Sequence, residues 1–148
     1  MKRIVIFASG SGTNAENLIK FFHNSDNATV IQVLCNNPHA KVLDRAKKLQ
    51  VSALSFNRIA FSKTSDVLNL LKASNPDLIV LAGFLWKFPE PILNAFPNKV
   101  INVHPALLPK FGGKGMYGMH VHEAVVANNE TETGITIHYV NEHYDEGA

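Results

Sequence analysis

Short apolar runs alternate with helix-spaced segments along this chain. Residues 3–8 (RIVIFA), 29–35 (TVIQVLC) and 77–82 (DLIVLA) are apolar almost throughout. A strand with one wet face alternates apolar and polar residues; runs like these are buried on both faces and belong to a parallel sheet. Parallel neighbours need crossovers long enough to hold a helix, and the intervening segments supply them. Residues 14–22 carry Leu18, Ile19 and Phe22 at helical spacing. Asn37-Pro38 reads as an N-cap followed by Pro at the first helical position, with Leu43, Ala46 and Leu49 continuing one face. A short strand over 53–55, a helix over 62–73, a helix over 91–96, a strand over 99–103, a helix over 120–128 and a strand over 134–140 complete the reading. The expectation is an α/β, doubly wound, mostly parallel sheet with helices on both faces. Such folds bind ligands beyond the carboxyl ends of their strands.

The bulk numbers are consistent with this. A length of 148 residues suits a single domain over 1–148 and is enough to bury a sizeable core. Hydrophobic residues make up 46% and charged residues 18%, as in an ordinary globular protein. The formal net charge of +2 comes from scattered Lys and Arg, so no nucleic acid partner is expected. The lone cysteine, Cys35, cannot form an intrachain disulfide, and its apolar neighbours suggest a buried, inert thiol. The N-terminus lacks a signal-peptide pattern and no apolar run reaches membrane-spanning length, so the expected location is cytoplasmic, without membrane contact.

Three stretches carry chemistry. The first is ASGSGTNAEN, residues 8–17, between the first strand and a helix. Gly10 and Gly12 make a tight turn with exposed amides, and a helix N-terminus behind it favours an anion, phosphate above all. The plain alternative is a strand-to-helix turn with a Thr13/Glu16 capping box. Glu16 works against the anion, because its carboxylate would compete with a phosphate. A dinucleotide site is disfavoured: the third glycine of the fingerprint falls on Ala15, and Cys35-Asn36-Asn37 offers no acid to hold a ribose. The anion is therefore expected to be a single phosphate.

The second stretch is VINVHPALLPKFGGKG, from Val100. Residues two apart on a strand share a face, so Asn102 and His104 stand together, their α-carbons about 7 Å apart. An Asn amide donates to an oxyanion, and a His donates or relays protons. Alternatively Asn102 caps a turn and His104 is a half-buried histidine with a hydrogen-bond partner. The third stretch is HYDEGA, where Asp145 matters only if it meets His104 in space. His120 and His122 lie two apart on a helix and cannot share a metal, and His138 and His143 complete no ligand spacing; no metal is expected.

ASGSGTN, LAGFLWKF, INVHPALLPKFGG, GMHVHEAV and HYDEGA occur in this order. Together they resemble the phosphoribosylglycinamide formyltransferases, folate-dependent enzymes of purine synthesis with a Rossmann-like formyltransferase fold. The resemblance runs over the whole chain. It implies transfer of a formyl group from 10-formyltetrahydrofolate, a cosubstrate, to glycinamide ribonucleotide, without a metal, in a monomer or homodimer. Matched position by position, Asn102, His104 and Asp145 are the catalytic set. Gly12, Thr13 and Asn14 hold the ribose phosphate, Lys63 helps, and Gly83 and Pro109 line the substrate cleft. Leu85, Trp86, Lys87 and Phe88 line the folate pocket, and Asn141, Glu142 and the residues up to Asp145 close on the pterin. His120 matches a histidine near the site but outside the catalytic set.

Two departures stand out. The GGKGMYGMH loop is longer than in some family members, and Lys114 and Tyr117 are expected in a flap. The family also continues with a strand and a C-terminal helix, so the resemblance implies a chain short of that segment. The rivals are a 10-formyltetrahydrofolate deformylase, another formyltransferase of the superfamily, and an inactive folate- or nucleotide-binding fragment. The turn beginning at Ser9 argues against the first two, and the complete catalytic set against the third.

Overall fold

The computed structural model describes residues 1–104 and 136–140; residues 105–135 and 141–148, and the expected helix over 120–128 with them, lie outside the described residues. The chain divides into two compact units, Met1–Phe84 and Leu85–Ala148.

The first unit runs β1 (Lys2–Ala8), α1 (Thr13–His23), β2 (Ala28–Cys35), α2 (Lys41–Lys48), β3 (Ser52–Ser55), a π-helical turn (Ile59–Lys63), α3 (Asp66–Ser74) and β4 (Leu78–Leu81). Its strands are all parallel, in the order β3-β2-β1-β4. β1 occupies the middle, and its Val5, Ile6 and Phe7 are completely buried, as the unbroken apolar run requires. Val33, Leu34 and Cys35 of β2 and Ile79 of β4 line the same interior. Arg3 fastens the start of β4 to β1: its amide donates to the Asp77 carboxylate, and its guanidinium donates to the Ser74 carbonyl. From β1 the chain steps to β2 and β3 on one side, then crosses back to β4 on the other. The strand order therefore reverses between β1 and β4, which is where doubly wound sheets open a crevice beyond their strands.

The second unit contains α4 (Glu90–Ala95), β5 (Val100–His104) and β6 (Thr136–Tyr139). β5 and β6 pair antiparallel, with Asn102 opposite His138 and His104 opposite Thr136. The Val140 amide extends this ladder to the Val100 carbonyl.

Two helix boundaries differ from the sequence reading. Asn37 does not cap α2. Its side chain accepts the His39 amide in a local turn, and α2 starts later, after Ala40. The helix expected over 62–73 is two pieces. The Asn57 side chain accepts the Ala60 amide and starts the π-helical turn; extended Thr64 then breaks the chain before α3.

Candidate functional site

The turn after β1 is built by its glycines and by α2. Gly12 is the N-cap of α1 and has φ of 77°, a left-handed conformation costly for any residue with a Cβ. A Cβ there would lie 2.3 Å from Val42 Cγ2 and 2.8 Å from Val42 Cα. Gly10 has open space around it, but its carbonyl accepts the Val42 amide at 3.1 Å, satisfying one of the orphan donors at the start of α2. Helix α2 thus presses directly on the turn. Thr13 and Asn14 follow as the first two exposed residues of α1, at the end where helix amides attract anions.

The expected Thr13/Glu16 capping box does not form. Gly12 takes the N-cap place and offers no side chain, and no side-chain cap bond is present. The Glu16 carboxylate points instead at two cations, Lys20 one turn along α1 (2.9 Å) and Arg45 of α2. Hydrogen bonds from Lys20 and Arg45 hold its carboxyl below the ordinary glutamate value, with burial opposing them. Glu16 is therefore a paired rather than a bare carboxylate in the folded chain.

The loop after β4 meets this turn. The Ser9 amide donates to the Gly83 carbonyl at 3.2 Å, and the Ala82 amide to the Phe7 carbonyl at 2.9 Å. Gly83 has φ of 73° and is exposed, with room around it. The turn that leads to Gly12, Thr13 and Asn14 and the loop that carries Gly83 therefore meet, through Ser9, where the strand order reverses.

A cluster of phenylalanines supports these loops, and the sequence reading missed it. Phe7, at the end of β1, lies 5.8 Å from Phe56, 6.2 Å from Phe61 and 5.4 Å from Phe84 between ring centroids. Phe56 and Phe61 stack at 5.0 Å. Each ring belongs to the carboxyl end of a strand or to the segment that follows one. Phe61 anchors the π-helical turn on which exposed Lys63 is the last residue, and Phe84 anchors the chain beside Gly83. Spacing in sequence carries no sign of such a cluster, because its members come from β1, the β3–β4 crossover and the segment after β4, which are far apart in the chain.

In the second unit, Leu85 and Lys87 are exposed, Trp86 is half-buried and Phe88 is buried. Strand β5 contains positions 102 and 104 in continuous register, as the alternation requires, and Asn102 is half-buried. Pro109, Lys114, Tyr117, His120, Asn141, Glu142 and Asp145 lie outside the described residues. Cys35 is buried as expected. Burial pushes its thiol up, and the Sγ–H donates to the Asn37 carbonyl at 3.3 Å. Among the described residues no group of three or more His, Cys, Asp or Glu is placed to hold a metal ion, and no helix is long and apolar enough to cross a membrane.

The turn after β1 and the Asn-x-His of β5 lie in two of the stretches, ASGSGTN and INVHPALLPKFGG, on which the family resemblance rests. The chain belongs to the formyl transferase family, whose model matches residues 2–148. Relatives within that family include proteins named phosphoribosylglycinamide formyltransferase. The one from Haemophilus influenzae is 35% identical over all of this chain and 70% of its own length. The chloroplastic one from Arabidopsis thaliana is 34% identical over 99% of this chain and 52% of its own. The chain thus spans about half the length of the chloroplastic relatives it matches. The crystal structure of glycinamide ribonucleotide transformylase 1 from Symbiobacterium toebii superposes with a TM-score of 0.88 at 31% identity, covering 99% of this chain and 69% of that one. The fold is accordingly the doubly wound, Rossmann-like α/β fold of these enzymes.

Proposed function

We propose that residues 1–148 act as one formyltransferase domain that moves the formyl group of 10-formyltetrahydrofolate to the primary amine of glycinamide ribonucleotide, a step of purine synthesis. The observation that carries this reading is the turn at Gly12 to Asn14. It offers helix-terminal amides for a single phosphate, in a chain whose relatives bear the name of this enzyme.

In this reading the phosphate of one substrate sits against Gly12, Thr13 and Asn14, with Lys63 adding positive charge and Gly83 and Pro109 lining the cleft. The folate lies along Leu85, Trp86, Lys87 and Phe88, with Asn141 and Glu142 closing on its pterin. The amine attacks the formyl carbon, forming a C–N bond, and the carbonyl electrons move onto oxygen. Asn102 and protonated His104 donate hydrogen bonds to that oxyanion. Asp145 stabilises the imidazolium and, through water, passes the amine proton to the departing folate nitrogen. The old C–N bond breaks with its electrons on that nitrogen, leaving tetrahydrofolate and the formylated ribonucleotide. No covalent enzyme intermediate and no metal step enters this scheme. Holding amine and formyl carbon together contributes several kcal/mol of the roughly 7–11 available to well-oriented partners. We place the enzyme in the cytoplasm, as a monomer or homodimer acting on small molecules, without nucleic acid or membrane.

The test is a formyl-transfer assay on the purified chain, following tetrahydrofolate release by absorbance with and without glycinamide ribonucleotide. Turnover requiring both substrates is expected. Release without the ribonucleotide would establish a deformylase instead, and a folded protein that turns over neither mixture would overturn the reading.

A further inference from the structure

The proposed phosphate turn has a carboxylate one helical turn behind it. The Glu16 amide donates to the Gly12 carbonyl, so the Glu16 side chain leaves α1 about 6 Å along the axis from the turn. That is inside the screening length of physiological salt, about 8 Å. A bare carboxylate there would oppose the anion that the α1 amides attract. Two cations meet it. Lys20 comes from α1 itself and is largely exposed; Arg45 comes from α2, and both it and Glu16 are more enclosed. The Arg45 Nε is buried and has no hydrogen-bond partner among the described residues, while an outer nitrogen of the guanidinium donates to the Glu16 carboxylate. The three side chains together carry a net positive charge.

Arg45 also joins the two helices at the place where α2 presses on the turn. Val42, three residues earlier, donates its amide to the Gly10 carbonyl and fills the space a Gly12 Cβ would need. Two contacts from α2 therefore shape the turn, and the Arg45–Glu16 pair ties the first turns of α1 to the same helix.

Resting on the phosphate reading above, we propose that Arg45 is a positioning residue for phosphate binding. With Lys20 already paired to Glu16, Arg45 makes the cluster net positive and holds the start of α1 against α2, so that the Gly12, Thr13 and Asn14 amides meet the anion beside a positive rather than a neutral group of side chains. Arg45 itself does not touch the substrate.

The experiment titrates ribose 5-phosphate into the full chain and follows the Gly12, Thr13 and Asn14 amide signals by NMR. Arg45→Gln is expected to weaken binding roughly three- to tenfold, the size of a charge effect at a helix terminus. The deficit should shrink as salt is raised. Arg45→Lys should bind within about twofold of the parent, because the charge is kept. Glu16→Gln combined with Arg45→Gln should restore binding to within about twofold, which a purely structural role of Arg45 would not do. In turnover, Arg45→Gln should raise KM for the ribonucleotide with kcat little changed. Unchanged binding by Arg45→Gln, or a double variant as weak as Arg45→Gln, overturns the proposal while leaving the phosphate turn intact. Should Arg45→Gln fail to fold, Glu16→Gln alone decides: equal or tighter binding supports the proposal, weaker binding overturns it. If the parent protein shows no response at these amides, the phosphate reading falls and the proposal with it.

Discussion

At the turn after β1, two glycines stand two positions apart in different surroundings. Gly12 has positive φ and lies against Val42, whereas Gly10 has open space where a side chain would go. Gly12→Ala must carry a left-handed backbone and displace Val42, including its backbone. Its expected cost is about 2 kcal/mol or more, from strain and overpacking together. Gly10→Ala should stay within about 0.5 kcal/mol of the parent, as surface substitutions do. Urea unfolding of the two variants checks this, and equal stabilities would contradict the close approach of α2. From the sequence the glycines look equivalent, because both stand in ASGSGTN. Their difference comes from Val42, which lies thirty positions beyond Gly12 in the chain. Glu16 teaches the same lesson. As a lone residue it reads as a capping partner or as a rival to phosphate, and only Arg45, from another helix, shows what its charge meets.

Helix α2 shows how an element can be right in outline and displaced at its ends. Leu43 and Ala46 are buried as the spacing predicts, whereas Leu49, expected on the same face, is the half-buried C-cap after the helix. Its start moves because Asn37 finds a partner in the His39 amide, a local choice that competes with capping. Its end is a Schellman motif: the Gln50 amide reaches the Lys47 carbonyl and the Val51 amide reaches the Ala46 carbonyl. Gln50 takes the left-handed place in that motif with φ of 62°, where glycine is the favoured residue. Gln50→Gly should therefore stabilise the protein by about 1 kcal/mol, the order of the left-handed penalty it relieves. A higher urea midpoint at unchanged slope would confirm it, and a lower midpoint would mean that the Gln50 side chain contributes more than its backbone costs. The break at Thr64 escaped the periodicity argument for a related reason. The apolar spacing of the π-helical turn and of α3 runs on across it, while Asn57 sets a separate start.

For the molecule as a whole, the proposed formyl transfer gives Asn102 of β5 the role of an oxyanion donor. Removing one oxyanion donor typically lowers turnover about 10²–10³-fold. Asn102→Ala is expected to show that loss in kcat, far beyond any loss of folded protein, with ribonucleotide binding at the β1–α1 turn retained. Turnover near that of the parent would remove Asn102 from the mechanism. Much of this architecture can be read from the chain alone. Runs apolar on every position force two-sided burial, and that forces parallel strands with helical crossovers. The same logic marks the glycine turn and the Asn-x-His pair as strand-end features, since period-two alternation is a property of the local backbone. What only the tertiary structure decided is how distant segments meet. The reversal of strand order between β1 and β4 places Gly83 beside Ser9. Four phenylalanines, from β1, the β3–β4 crossover and the segment after β4, gather under the loops, and α2 delivers Val42 and Arg45 to the turn. Local periodicity records which face of an element is buried. It holds no record of which other element covers that face, because that is set by packing between segments far apart in the chain.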